Sequence, residues 1–289
     1  MIEVLDEQTW RGRQRAHAER VRPWIEPRLE RRRRGERHPV DDFLFEYYSF
    51  RPGQLARWHP GWGVELVGNV AEWTSVRGYA VVDGTARVDA SALPMESLKA
   101  FAELLRRTSE REAQLGCFGR HEWAMVYRLE QHEVRHPAWP LRVSAAQIAE
   151  VVESSPLRCT HFDAFRFYST AARPLNVVTP TRSTQADLEQ PGCLHAAMDL
   201  YKWAFRSYPA IGADLTADCF ALAREVRDVD MRVAPYDLSD LGLAPIRIET
   251  TEGRAEFVRY QRDFADRGAV LRARLLAVMD AAVSEHVSA

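Results

Sequence analysis

Histidines stand near carboxylates in three short polar strings of this 289-residue chain, at residues 119–123, 159–163 and 193–199. Imidazole and carboxylate groups together can bind a metal ion or move a proton. In a helix, His195 and Asp199 lie one turn apart on the same face. The apolar neighbours in these strings would bury their polar groups, and burial requires pairing, protonation or a bound ligand. We therefore expect the three strings to converge on one buried site.

A fourth string has the same character. His38, Asp42 and Glu46 would share one face of a helix if residues 38–48 were helical throughout, as the apolar residues around them indicate. Pro39 suits a first helical turn, and acidic residues favour the positive end of the helix dipole. The pattern predicts a buried helix whose polar face could also hold a metal or a proton.

A literal metalloprotease motif, HEVRH, occurs at residues 132–136. In zinc proteases, a continuous helix carries both histidines and the glutamate of this motif. Pro137 disfavours helical geometry at His136, and residues 128–142 carry no apolar helical stripe. We interpret the match as coincidental, with a metallohydrolase as the less favoured alternative.

Other common catalytic signatures are absent from the sequence. Neither a glycine-rich phosphate loop nor a GxSxG nucleophile elbow occurs. The four cysteines are widely spaced and form no CxxC pair, so reduced thiols are expected rather than a zinc site or a disulfide scaffold. The rings of Trp123 and Trp203 lie in or beside the polar strings, where they could stack on a planar ligand.

The charge is uneven along the chain. Residues 11–37 hold eleven arginines and four glutamates, a local charge of 11 − 4 = +7 in a chain whose net charge is −2. The run Arg31, Arg32, Arg33 and Arg34 could neutralise phosphates. A solvated helix end paired with neighbouring glutamates is the favoured interpretation of so short a run.

The elements that must position these groups are mostly helical. Apolar periodicity predicts helices over residues 7–34, 91–115, 192–206, 212–231 and 252–284. Pro23 and Pro27 are expected to divide the first of these helices, and Gly268 is a possible break in the last. Glycine-punctuated β-branched residues predict a small antiparallel sheet near residues 64–88. The expected fold is mainly α, as a single domain over residues 1–289 with an arginine-rich helical N-terminal segment at 7–37.

The chain contains no run of about 18 apolar residues, and its first residues are not a basic segment followed by an apolar one. A membrane span and a signal peptide are therefore not expected. The sequence predicts a cytoplasmic protein without a membrane partner.

Nearly the whole chain resembles an actinobacterial family commonly labelled 3-methyladenine DNA glycosylase. The strings that carry the resemblance are residues 38–48, 57–61, 116–128, 161–167 and 190–203. The family motifs contain neither a helix-hairpin-helix with its downstream aspartate nor a zinc-binding cysteine and histidine pattern.

The resemblance implies hydrolysis of the glycosidic bond of an alkylated purine extruded from DNA. Such an enzyme needs no cofactor, but it does need an aromatic pocket, a carboxylate beside the developing charge and cationic phosphate contacts. On this interpretation, the catalytic candidates are Glu122, Asp163, Asp199, His121, His161 and His195. The base-stacking candidates are Trp123 and Trp203, and the DNA-binding candidates are Arg31, Arg32, Arg33 and Arg34.

The alternative from a different class is a helical metal-dependent oxidoreductase that acts on a small molecule. Bundle-type iron and manganese sites are assembled from imidazole and carboxylate groups on neighbouring helices. His121, His161, His195 and Asp199 are the candidate ligands for iron or manganese. A third class, a DNA-binding protein without catalysis, would need only the arginine segment. The substrate, the bound metal and the oligomeric state stay open at this point.

Overall fold

A computed structural model describes residues 2–288 of the chain, with the backbone alone over 286–288. The described residues are mainly α-helical, which confirms the predicted fold class. The helices are α1 (Glu7–Arg34), α2 (Phe43–Tyr47), α3 (Pro52–Ala56), α4 (Met95–Ser109), α5 (Arg120–Val126), α6 (Ala145–Glu153), α7 (Phe162–Phe165), α8 (Gln185–Leu188), α9 (Leu194–Arg206), α10 (Ala213–Val233) and α11 (Thr251–Ser288). The strands are β1 (Glu3–Leu5), β2 (Val64–Leu66), β3 (Tyr79–Val82) and β4 (Thr85–Val88).

The chain forms two compact units, each assembled from separate segments. The first unit contains the chain up to Arg106, Asp199–Arg224 and the chain from Val270 onward. The second unit contains Arg107–Met198 and Glu225–Ala269. The divisions fall inside helices α4, α9, α10 and α11 rather than in exposed linkers.

The first unit holds a four-stranded sheet in the order β1-β2-β4-β3. Strands β3 and β4 form a hairpin across Asp83 and Gly84, and the backbone φ angles of these two residues are +51° and +75°. Positive φ at both central residues is what the twist-compatible two-residue turn requires. The sheet lies where the sequence predicts it, but it is mixed rather than antiparallel, because β1 pairs in parallel with β2.

Helix α1 is one continuous helix of 28 residues, so the predicted division at Pro23 and Pro27 is wrong. Proline removes a backbone hydrogen bond and normally kinks or ends a helix. Tertiary contacts on both sides of the prolines offset this cost. Trp10 is fully buried before them, and Arg31 binds the buried carboxylate of Asp42 after them.

Residues 38–48 do not form one helix, and the predicted shared face of His38, Asp42 and Glu46 is wrong. Only α2 is helical, and residues 39–42 form a turn before it. The ring Nδ1 of His38 accepts the backbone N–H of Asp41 at 3.1 Å, and Asp42 accepts the backbone N–H of His38 at 2.9 Å. These local hydrogen bonds compete with helical ones and fix the turn.

The other predicted helices are present with shifted ends. Helix α4 is shorter than the predicted 91–115, because residues 90–92 form a separate 3₁₀ turn and the helix stops at Ser109. Helix α11 passes through Gly268 without a break. The HEVRH string lies in turns and bends, as the following proline indicates. Among the described helices, none is both long and apolar enough to span a bilayer.

Candidate metal centre

The start of α5 is held against the end of α10 within the second unit. Phe118 and Gly119 both have positive φ, at +50° and +69°, so the chain turns sharply into the helix. A Cβ on Gly119 would lie 2.5 Å from the side chain of Val233, which leaves room only for glycine. The indole N–H of Trp123 donates to the backbone oxygen of Val233 at 2.8 Å. These contacts bring the first turn of α5 beside the last turns of α10.

His121 and Asp230 meet at this junction. Nε2 of His121 lies 2.8 Å from Oδ1 of Asp230 and 3.8 Å from Oε1 of Glu122. The second carboxylate oxygen of Asp230 lies 3.4 Å from the guanidinium of Arg227, one turn earlier on α10. All four side chains are buried. The result is a dense cluster of two carboxylates, one imidazole and one guanidinium with little access to bulk water.

Two further histidines pack against this cluster. The ring of His195 lies edge-on to the ring of His121, with 4.8 Å between the centroids. The ring of His161 lies 5.3 Å from that of His195, and its Nε2 is 3.4 Å from Oε2 of Glu189. The histidines of all three polar strings thus form one continuous row of rings.

Electrostatics keeps His121 and Asp230 ionised. Burial acts to lower the pKa of His121, but the charge and hydrogen bond of Asp230 outweigh it and hold that pKa well above the ordinary value. Burial likewise acts to raise the pKa of Asp230, and the positive charge of His121 instead holds it below the ordinary value. The pair therefore exists as imidazolium and carboxylate at neutral pH.

The pKa of Glu122 shifts in the opposite direction from that of Asp230. Burial and the neighbouring negative charge of Asp230 raise the pKa of Glu122 to about 7, although His121 and Arg227 act to lower it. Glu122 is therefore divided between its protonated and ionised forms at neutral pH. A carboxyl group with this pKa can accept or donate a proton under physiological conditions.

The cluster borders a small cavity within the second unit. The cavity has a volume of about 20 Å³, and His121 and His195 both line it. Three of the four cysteines line it as well, namely Cys117, Cys159 and Cys193. Burial raises the pKa of the Cys159 and Cys193 thiols, which therefore remain protonated. A volume of this size holds a water-sized molecule.

The donor atoms of His121, His195 and Asp230 all lie within 4.8 Å of one another. Two imidazoles and one carboxylate are the ligand set of mononuclear iron(II) oxygenases, in which the remaining coordination positions stay open.

Asp230 was not predicted from the sequence, because it lies 109 residues from His121. The available signal was its position between Val226 and Val233 on the apolar stripe of α10, where a carboxylate needs a partner.

The structure places the other predicted carboxylates differently. Asp163 lies in α7, where one of its oxygens is 3.1 Å from Nε of Arg166. Asp199 belongs to the first unit, where it accepts the hydroxyl of Tyr48 at 2.8 Å and a short hydrogen bond from Lys202. In the second unit, the carboxylates around His121 are Glu122, which was predicted, and Asp230, which was not.

The two predicted base-stacking residues are buried in the protein core. Trp123 is fully buried and lies under the guanidinium of Arg142. Trp203, in the first unit, packs on Phe101 with 4.7 Å between the ring centroids and lies under the ammonium of Lys202. Both rings are thus occupied by contacts with their own unit.

The arginine run divides into distinct environments in the first unit. Arg31 is bound to the buried Asp42, and the exposed Arg34 lies 3.1 Å from Glu36. Arg32 is exposed and lines a large cavity, and Arg33 is exposed at the end of α1. The pairing with Glu36 agrees with the favoured interpretation of a solvated helix end.

Comparison with known proteins gave no match: no protein-family model, no curated protein and no solved structure is significantly similar to this chain.

Proposed function

We propose that this protein is a metal-dependent oxidoreductase whose metal ion, iron or manganese, is held by His121, His195 and Asp230 and acts on a small molecule. The observation that supports the proposal most is the convergence of three suitable donor atoms within 4.8 Å beside a cavity. Two imidazoles and one carboxylate leave coordination positions for a substrate or an oxidant.

One pair of donor atoms has the spacing of two ligands of a shared cation. Ligand atoms about 2.1 Å from a metal at right angles to each other lie roughly 3 Å apart. Nε2 of His121 and Oδ1 of Asp230 are 2.8 Å apart. A proton links these two atoms in the metal-free protein. Metal binding would displace that proton, as it does wherever protonated ligands take up a metal ion.

The charges suit a divalent cation as well. Asp230 and an ionised Glu122 supply two negative charges in a buried position. Together with the guanidinium of Arg227 they leave one net negative charge. A divalent ion would favour the ionised form of Glu122, whose pKa is raised to about 7 by burial and by Asp230. Glu122 would then be a base beside the metal ligands, able to accept a proton.

A second candidate is hydrolysis of the N-glycosidic bond of an alkylated purine, as the family resemblance implies. The observation that favours it is the difference in pKa between two neighbouring carboxylates. The pKa of Glu122 is raised to about 7, and that of Asp230 is lowered. Such a pair can divide the roles of proton donor and charge stabiliser. The cavity of about 20 Å³ is smaller than a purine, so purine binding would require it to open. The convergence of three metal-donor atoms is the reason that the metal-dependent reaction comes first.

Metal content separates the two candidates. The protein is purified, stripped with a chelator and reconstituted anaerobically with iron(II), manganese(II) or zinc(II), and bound metal is counted by mass spectrometry after desalting. We expect one equivalent of iron or manganese in the wild type and less than a tenth of that in His195→Ala, since losing one of three ligands removes most of the affinity. Asp163→Asn is the matched control, because Asp163 pairs with Arg166 outside the cluster.

Equal metal content in the wild type and in His195→Ala would contradict the proposal, as would a wild type that retains none of the three ions. Excision of 3-methyladenine from alkylated DNA by the chelator-treated protein, lost in Glu122→Gln, would instead establish the second candidate.

A further inference from the structure

A large cavity in the first unit is lined by arginines and by no acidic residue. Its volume is about 830 Å³, within the range of cavities that bind small organic ligands. The five arginines on its wall are Arg32, Arg51, Arg57, Arg77 and Arg206. They come from four separate places in the chain: the end of α1, the segment around α3, the loop before β3 and the end of α9.

These five side chains are exposed, and they carry no ion pair with the described residues. None of their guanidinium groups lies within 4 Å of a described carboxylate. Neighbouring arginines of the same unit behave differently, since Arg28 and Arg31 both bind Asp42. The chain has 41 acidic residues, yet none of the residues that line this cavity is acidic. Clustered positive charges repel each other, and an anion between them would relieve that repulsion.

The positive charges act together at the cavity wall. Burial raises the pKa of the Tyr208 hydroxyl, while the charges of Arg57 and Arg77 both act to lower it. Tyr208 itself donates a short hydrogen bond to the backbone oxygen of Arg77. The positive charges of Arg57 and Arg77 therefore both act on the same part of the cavity wall. Arginine binds phosphate through two parallel N–H groups and suits this role.

Four flat rings also line the cavity, those of Phe50, His59, Phe205 and Tyr208. Phe50 and Phe205 are stacked with 4.7 Å between their centroids, and both are only partly buried. The ring of His59 lies 4.8 Å from that of Tyr208. Burial and the charge of His17 lower the pKa of His59 to about 3, so this imidazole is neutral. A neutral aromatic wall next to clustered arginines offers stacking for a planar ring and charge pairing for phosphates.

We infer that this cavity binds a phosphorylated ligand that carries a planar ring, the chemistry of a nucleoside diphosphate or triphosphate. Several arginines match several phosphate groups, and the aromatic wall matches the base. The same chemistry occurs in a free nucleotide and in a nucleotide unit of a single strand. The site lies entirely within the first unit and is independent of the proposed metal centre in the second.

Isothermal titration calorimetry on the full-length protein tests the inference. The probes are ATP, ADP, inorganic tripolyphosphate and a short single-stranded oligonucleotide, each in magnesium-free buffer. We expect ATP or ADP to bind with a Kd below about 100 μM, more tightly than tripolyphosphate. Tighter binding of the oligonucleotide would identify a strand as the source of the ligand. In the double variant Arg57→Gln with Arg206→Gln, the affinity should fall at least about tenfold.

Arg33→Gln is the matched control, because Arg33 is an exposed arginine of the same unit that does not line the cavity. All of the substituted arginines are exposed, so the variants should keep the wild-type melting temperature. Two results would overturn the inference: no binding of any probe below about 1 mM, or the same loss of affinity in Arg33→Gln and in the double variant. Equal affinity for tripolyphosphate and ATP would overturn the assignment of a ring-bearing ligand.

Discussion

Arg31 and Arg32 are neighbours in the sequence with different environments. Arg31 makes three hydrogen bonds to the buried carboxylate of Asp42, and Arg32 faces the arginine-lined cavity. Asp42 has no exposed surface, so it depends on its cationic partners, Arg28 and Arg31, to remain ionised. A run of four arginines is therefore not one functional unit. Charge pairing, which the sequence alone does not show, decides which of them contribute to stability.

Substitution of Arg31 should destabilise the protein. Arg31→Gln removes charge-assisted hydrogen bonds to a buried carboxylate, and we expect the free energy of unfolding to fall by about 1–3 kcal/mol. Arg33→Gln changes an exposed side chain and should stay within about 0.5 kcal/mol of the wild type. Urea denaturation of both variants measures the difference. Equal stability of the two variants would show that the pair with Asp42 contributes nothing.

A second residue-scale prediction concerns His59. Burial is the main cause of its lowered pKa of about 3, the charge of His17 adds to it, and Asp214 opposes it. Because the folded pKa lies below that of the unfolded chain, the unfolded state takes up the proton first as the pH falls. Stability due to neutral His59 is therefore complete above about pH 6.5 and decreases below it.

Urea denaturation at pH 7 and pH 5 measures this effect. The wild type should lose about 2 kcal/mol more than His59→Asn over this interval, since 1.5 pH units below 6.5 correspond to that energy. Asparagine has no titrating group and retains a polar atom near the hydroxyl of Tyr79, which lies 3.0 Å from Nδ1 of His59. The same pH dependence in both proteins would mean that His59 is protonated equally in the folded and unfolded states.

Among the elements, helices α9 and α10 agree best with their predicted bounds. Helices α9 and α10 begin and end within two residues of their predicted bounds. The sequence wrongly predicts a division of α1 at its prolines. Proline's lost hydrogen bond is visible in the sequence, but the tertiary contacts that offset it are not. Strand β1 was missed, since three residues show no alternation until β2 is present to pair with them.

Helix α5 is short, and its position depends on Gly119. Gly119→Ala would put a methyl group into the side chain of Val233 and would force an L-residue into the left-handed conformation. We expect a loss of about 2–4 kcal/mol in the free energy of unfolding and weaker metal binding, since α5 carries His121. Gly116→Ala is the control, because no atom lies within 4 Å of the position that its new methyl group would take and its φ is ordinary. Similar stability of the two variants in urea denaturation would contradict this role of Gly119.

At the scale of the whole molecule, the two proposals rest on two groups of described residues, one in each compact unit. The sequence predicted the three histidines and Glu122 of the second unit, because dense polar strings among apolar residues are visible locally. Asp230 and the cavity-lining cysteines come from distant parts of the chain, and only folding shows them together. The arginine-lined cavity likewise cannot be predicted from the sequence, since its arginines come from four separate segments. The prediction of a single domain stays a prediction.

Anomalous X-ray scattering from crystals loaded anaerobically with iron(II) tests the central claim most directly, because it locates the ion without reference to activity. The account predicts a peak at the iron absorption edge about 2.0–2.2 Å from Nε2 of His121, a carboxylate oxygen of Asp230 and a ring nitrogen of His195. The peak should be missing from His195→Ala crystals prepared in the same way. A loaded wild-type crystal with no peak at these three side chains, or with its ordered iron elsewhere, would contradict the account.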